Sequence, residues 1–94
     1  MSQMTRIGKT ATKVRSEGEN VIVRYHQTDV VTFNQKEIIL NSGGWYTNTT
    51  KTRMNQTANE YGLGFTVHQK RGRWFIEYKG QDLVFLGQIV KLER

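Results

Sequence analysis

Apolar and polar residues alternate in several short runs of this chain, and a period of two is the mark of half-buried strands. Val21, Val23 and Tyr25 share one face of the first clear run, with Ile22, Arg24 and His26 on the other. Gln27-Thr28-Asp29 turns this run into a second strand over residues 30–33, and Asn34-Gln35-Lys36 is a hairpin turn into a third over residues 37–40. A weaker run at residues 10–15 predicts a strand before these, entering the next through Glu17-Gly18-Glu19-Asn20. The alternation breaks at Asn41-Ser42-Gly43-Gly44, where paired glycines permit backbone conformations closed to other residues. Beyond it Met54, Ala58 and Tyr61 stand at i, i+4 and i+7, which predicts a helix over 50–61 with one apolar stripe. Thr49 or Thr50 is placed to cap its start, and Gly62 to end it in a left-handed conformation.

Strands return at Phe65, Val67 and Gln69, which lead into the glycine-containing tip Lys70-Arg71-Gly72-Arg73. Trp74, Ile76 and Tyr78 then alternate with Phe75, Glu77 and Lys79. The turn Lys79-Gly80-Gln81-Asp82 opens a strand over 83–86, and Gly87-Gln88 separates it from a last strand over 89–92. The predicted fold class is α+β: a small antiparallel β-sheet of five to seven strands with one α-helix near residues 50–61. Residues 9–94 form one domain, and residues 1–8 a flexible basic arm, because Ser2, Gln3, Thr5 and Gly8 offer little to bury.

Composition narrows the function classes. A chain of 94 residues holds one domain with a thin core. With no cysteine, disulfides and thiolate metal sites are excluded, and two histidines without a carboxylate cluster make a poor metal site. No cofactor is called for. The first six residues lead into no apolar run, and no stretch reaches the ~18 apolar residues of a membrane span. The expectation is a soluble protein without a signal peptide. The formal charge of +6 is unevenly spread, since the first fifteen residues carry Arg6, Lys9, Lys13 and Arg15 and no acid. Attraction to polyanions would come largely from that arm, although a positive surface also serves solubility alone.

The stretch most suggestive of chemistry is NSGGWYTNTTKTRMNQ, residues 41–56. A helix N-terminus exposes unpaired N–H groups and partial positive charge, which suits an anion. Ser42, Gly43, Gly44 and Trp45 approach it from the strand end, Thr47, Thr49 and Thr50 add hydroxyls, and Lys51 and Arg53 add full charge. No glycine precedes Lys51, so this is not a P-loop. The plain alternative is a strand-to-helix connection with a threonine cap and Trp45 as a core anchor. Bases in a first helical turn oppose the dipole, and that placement favours an anionic ligand.

The run Leu40-Asn41-Ser42-Gly43-Gly44-Trp45, then Thr47, Thr49-Thr50-Lys51, Arg53 and Asn55, resembles a group of small proteins of tailed bacteriophages. They share L-N/D-S/T-G-G-W-x-T-x-T-T-K-x-R-x-N, and Tyr25-His26-Gln27-Thr28-Asp29-Val30-Val31 is similar to them as well. The similarity spans residues 21–62. It implies a phage origin and action in the cytoplasm of a bacterial host cell, and it carries over no activity.

A second patch gathers Lys70, Arg71 and Arg73 beside Trp74, Phe75 and Tyr78. Aromatic rings next to cations stack bases of single-stranded nucleic acid, yet Trp74, Ile76 and Tyr78 equally make one core face. Catalysis has the weakest case: His26 and His68 as general base and acid with Lys51 on transition-state charge would draw a metal-independent nuclease, but nothing in the sequence places them together. The reading is therefore a phage-encoded, non-catalytic binding protein that captures a phosphate-bearing partner, a nucleotide or a nucleic acid. A nucleotide serving as a host defence signal would suit a compact cradle. The alternative is a protein-interaction module that inhibits or assists a host or phage protein. The final strand, with only Lys91 among Ile89, Val90 and Leu92, predicts a homo-oligomer, most simply a dimer, with the ligand site near the interface.

Overall fold

The computed structural model describes residues 12–44, 47–85 and 87–94. The arm at residues 1–8, Trp45, Tyr46 and Leu86 therefore lie outside the described residues. Eight strands and one helix follow in the order β1 (Thr12–Glu17), β2 (Asn20–Tyr25), β3 (Thr28–Phe33), β4 (Glu37–Asn41), α1 (Asn48–Tyr61), β5 (Phe65–Lys70), β6 (Arg73–Tyr78), β7 (Gln81–Val84) and β8 (Ile89–Glu93). The α+β class and the single helix hold. Among the described residues the strands number eight and form two antiparallel sheets, β1-β2-β3-β4-β8 and β5-β6-β7. Period-two alternation shows that a strand has one buried face and says nothing about its partner. Here β8 returns to pair with β4, so the helix and the small sheet form an excursion between two neighbours of the large one.

One core joins all three parts. Val23, Val31, Phe33, Ile38 and Leu40 come from the large sheet, Met54 and Ala58 from the helix, and Val67, Trp74 and Ile76 from the small sheet. Trp74 meets Phe85 edge-on with centroids 5.7 Å apart, and the Tyr78 hydroxyl donates to the Glu93 carbonyl, tying the sheets together. Val23 pairs with Val31 but Arg24 with Asp29, so Val30 is an extra residue in β3. Such a bulge breaks strict alternation, and it explains why adjacent Val30 and Val31 are both fully buried.

Turn chemistry accounts for the other departures from the sequence reading. His26 leaves the strand for a two-residue turn with Gln27 at φ +56°, held by Arg24 Nη2 donating to the Gln27 carbonyl. The Arg71-Gly72 and Lys79-Gly80 turns have positive φ at both central positions, the type I′ geometry that matches the twist of paired strands. The helix begins two residues early, at Asn48, because Thr47 rather than Thr49 or Thr50 is its cap: Thr47 Oγ1 accepts from the Thr50 N–H at 3.2 Å. Gly62 ends it in the left-handed conformation, with the Leu63 N–H donating to the Ala58 carbonyl. Met54 and Ala58 are buried as the stripe predicts, whereas Tyr61 is exposed and lays its ring against Phe33.

Candidate functional site

The turn after β4 is built by its own polar groups. Asn41 Oδ1 accepts from the Gly43 N–H at 2.8 Å, and Ser42 Oγ accepts from the Gly44 N–H at 3.2 Å. The buried Ser42 also donates its N–H to the Gln88 carbonyl, which anchors the turn to the approach of β8. Gly43 has φ +66°, and a Cβ there would stand 2.5 Å from Thr28 Oγ1 and 2.9 Å from Thr28 Cγ2. The position needs glycine twice over, for its backbone conformation and for its closeness to the start of β3.

At the helix start, much of the expected cradle is committed to internal contacts. Thr50 is buried, with Thr47 and Thr50 hydroxyls 3.0 Å apart, while Thr49 is exposed. Arg53 departs from the expectation of a ligand-facing base. Its Nε donates to Thr12 Oγ1 and its Nη1 to Gln56 Oε1, and its guanidinium lies 5.7 Å over the Tyr25 ring. Two positions apart on a helix point nearly opposite ways, so Lys51 stands on the other flank, half-buried and without an ion pair among the described residues. The two cations do not converge.

What the structure does form is an open groove of about 1400 Å³ between the helix start, the β2–β3 turn and the edge strand β1. Thr12, Thr28, Ser42, Thr47 and Thr50 contribute hydroxyls, Val14, Tyr25 and Val30 contribute apolar surface, and Lys13, Arg15 and Arg24 are its cations. No described lining residue is acidic. Strand alternation sets Lys13, Arg15 and Arg24 on the sheet face opposite to Val14 and Val23. Asp29 tempers this charge, 3.3 Å from Arg15 and 3.9 Å from Arg24, as does Glu17 beside Arg15. Hydrogen bonds that Arg15 donates to Asp29, then to Glu17, raise its pKa above the ordinary value, so that guanidinium is permanently charged.

The second patch divides. Trp74 is buried in the core, which withdraws its ring from any stacking role, whereas Lys70, Arg71, Arg73 and Phe75 line a shallow surface depression. The histidines lie in different parts of the fold. His26 sits in the β2–β3 turn with its ring 4.3 Å from Tyr25, and His68 Nε2 is 2.7 Å from Asp82 Oδ1 on the small sheet. No described residues cluster as a metal site, and no described helix is long and apolar enough to cross a membrane.

Residues 1–90 match the family described as Kyanoviridae Gp96 protein, a family of phage proteins. The chain belongs to that family. Comparison with curated proteins and with solved structures finds no match. In this Kyanoviridae Gp96 chain, the residue that sequence reasoning passed over is Asn55. Its Oδ1 accepts from the Val67 N–H at 2.7 Å and its Nδ2 donates to the Val67 carbonyl at 2.8 Å, both buried. The available signal was a polar residue directly beside Met54 on the helix's inward side. The groove residues Thr12, Tyr25 and Thr28 were also missed, because they come from strands far from the glycine turn in sequence.

Proposed function

We propose that this Gp96-family protein binds a phosphate-bearing partner in the groove between β1, the β2–β3 turn and the start of α1, without catalysis. The observation that carries the reading is the described lining: three cations and five threonine or serine side chains, with no carboxylate among them. Thr47 and Thr50 bring the start of α1 to the same groove, and the partial positive charge of a helix N-terminus favours an anion. The sequence just before Thr12 adds Arg6 and Lys9, and the chain carries +6 in all.

An open groove of this size exceeds the ~300–1000 Å³ typical of small-molecule pockets. It suits a strand of nucleic acid better than a single nucleotide. Tyr25 is not a free stacking platform, since Arg53 and His26 already approach its ring, so affinity would rest on phosphates rather than bases. Fluorescence anisotropy with a labelled oligothymidylate tests this. Three phosphate contacts on a single strand give a log–log salt slope of about −2, a loss of about 18-fold between 50 and 200 mM salt. Lys13→Gln and Arg24→Gln should each flatten that slope. Binding that is absent at 50 mM salt, or indifferent to salt, overturns the reading. Displacement by a mononucleotide at micromolar concentration would instead assign the groove to a nucleotide.

A further inference from the structure

The small sheet has an inner face in the core and an outer face that no other described strand covers. Pairing across β5, β6 and β7 arranges the outer residues in three rows. Lys70 stands opposite Arg73 at one end, His68, Phe75 and Val84 form the middle, and Thr66, Glu77 and Asp82 the other end. The middle row is apolar and open: Val84 is 43% exposed, and Phe75 is half-buried under a stacked His68 at 5.6 Å. Each end sets like charges directly opposite one another, Lys70 against Arg73 and Glu77 against Asp82, a pairing that destabilises an isolated sheet. His68 offsets part of this by bonding Asp82. Arg73 and Glu77 have no ion-pair partner among the described residues.

We propose that this face is the contact surface of a symmetric homodimer. The charge pattern also selects the two-fold axis, which lies in the interface plane, perpendicular to the strands and beneath the middle row. That rotation reverses strand direction. It lays the basic end of one copy on the acidic end of the other and the Phe75 row on itself. An axis along the strands would instead stack Arg73 on its own copy and Glu77 on its own. Because β6 is the central strand, the rotation sets Arg73 over the partner's Glu77, twice by symmetry. Three strands ~4.8 Å apart and six residues long span a footprint of about 14 by 20 Å, well below the ~800 Å² per partner of a standard interface. The dimer is accordingly a weak one. The exposed edge of β8 is a poorer candidate, since Lys91 bonds Glu37 at 3.3 Å and a charged side chain guards the strand.

Light scattering or sedimentation equilibrium from 10 to 500 μM decides the matter through charge reversal. The wild-type mass should rise from 10.9 kDa toward twice that value with concentration. Arg73→Glu and Glu77→Arg should each weaken association at least tenfold, with circular dichroism unchanged because both side chains are exposed. An equimolar mixture of the two variants should associate again, since every cross-interface pair is then opposite in charge, and the double variant should do so alone. A mass of 10.9 kDa throughout overturns the proposal and leaves the face to residues 1–11 or a foreign protein. Single variants that associate like wild type, or a mixture that stays monomeric, overturn it equally.

Discussion

Replacing Asn55 by alanine should be among the most damaging single changes in this protein. The side chain amide holds both backbone groups of Val67, at 2.7 and 2.8 Å, on the strand of the small sheet that borders the helix. Val67 pairs with Ile76 on β6, and its N–H and carbonyl turn the other way, toward α1. Asn55 thus stands in for a missing neighbouring strand. Truncation leaves a buried donor and a buried acceptor without partners, at about 1–3 kcal/mol each. The better helix propensity of alanine returns about 0.5 kcal/mol. The net loss is about 1.5–5.5 kcal/mol, set against a total of roughly 5–14 kcal/mol for a chain this long. Melting should fall by about 6–44 °C at 4–8 °C per kcal/mol. Urea denaturation followed by circular dichroism gives the free energy directly. Asn55→Asp keeps the acceptor but loses the donor, and burial raises the pKa of the new carboxyl in the folded state. Its stability should therefore recover as pH falls through that raised value, when the protonated carboxyl can donate to Val67. A loss under about 1 kcal/mol for Asn55→Ala would refute the reasoning, by showing that water satisfies Val67 once the amide is gone.

Gly43→Ala should cost about 2–4 kcal/mol, from left-handed backbone strain and the collision with Thr28. Adding Thr28→Ala should recover the collision and not the strain, which chemical denaturation of the single and double variants will show. Arg53→Ala should lower stability by about 1–2 kcal/mol through loss of its bonds to Thr12 and Gln56 and its place over Tyr25. Lys51→Ala should stay within about 0.5 kcal/mol of wild type in the same assay.

Much of this architecture is legible in the residues, and the limits have physical causes. Strict alternation at Trp74, Ile76 and Tyr78 marks a core face, and Gly62 marks a helix end, because both are local properties of the chain. Sheet membership is not local. Nothing in residues 89–93 announces that they pair with β4 rather than β7, and the bulge at Val30 hides behind two adjacent valines. The glycine turn and helix start were visible as a unit, but their polar groups face inward more than an anion site requires. Ser42, Thr47, Thr50, Arg53 and Asn55 all bond within the chain. An opposed helix dipole at Arg53 reflects a tether to β1 rather than a ligand. The groove cations Lys13 and Arg24 carry no local signature, since any strand can bear a base at alternate positions.

The most direct test of the binding account is a map of where a ligand touches the protein. In a ¹⁵N–¹H correlation spectrum titrated with an oligothymidylate at 50 mM salt, the moving amides should be those of Lys13, Arg24, Thr28, Ser42 and Thr47 to Lys51. They should return toward their free positions at 200 mM salt, following the loss of phosphate contacts. Shifts confined to Lys70, Arg71 and Arg73, or a spectrum that does not move at millimolar oligonucleotide, would contradict the account.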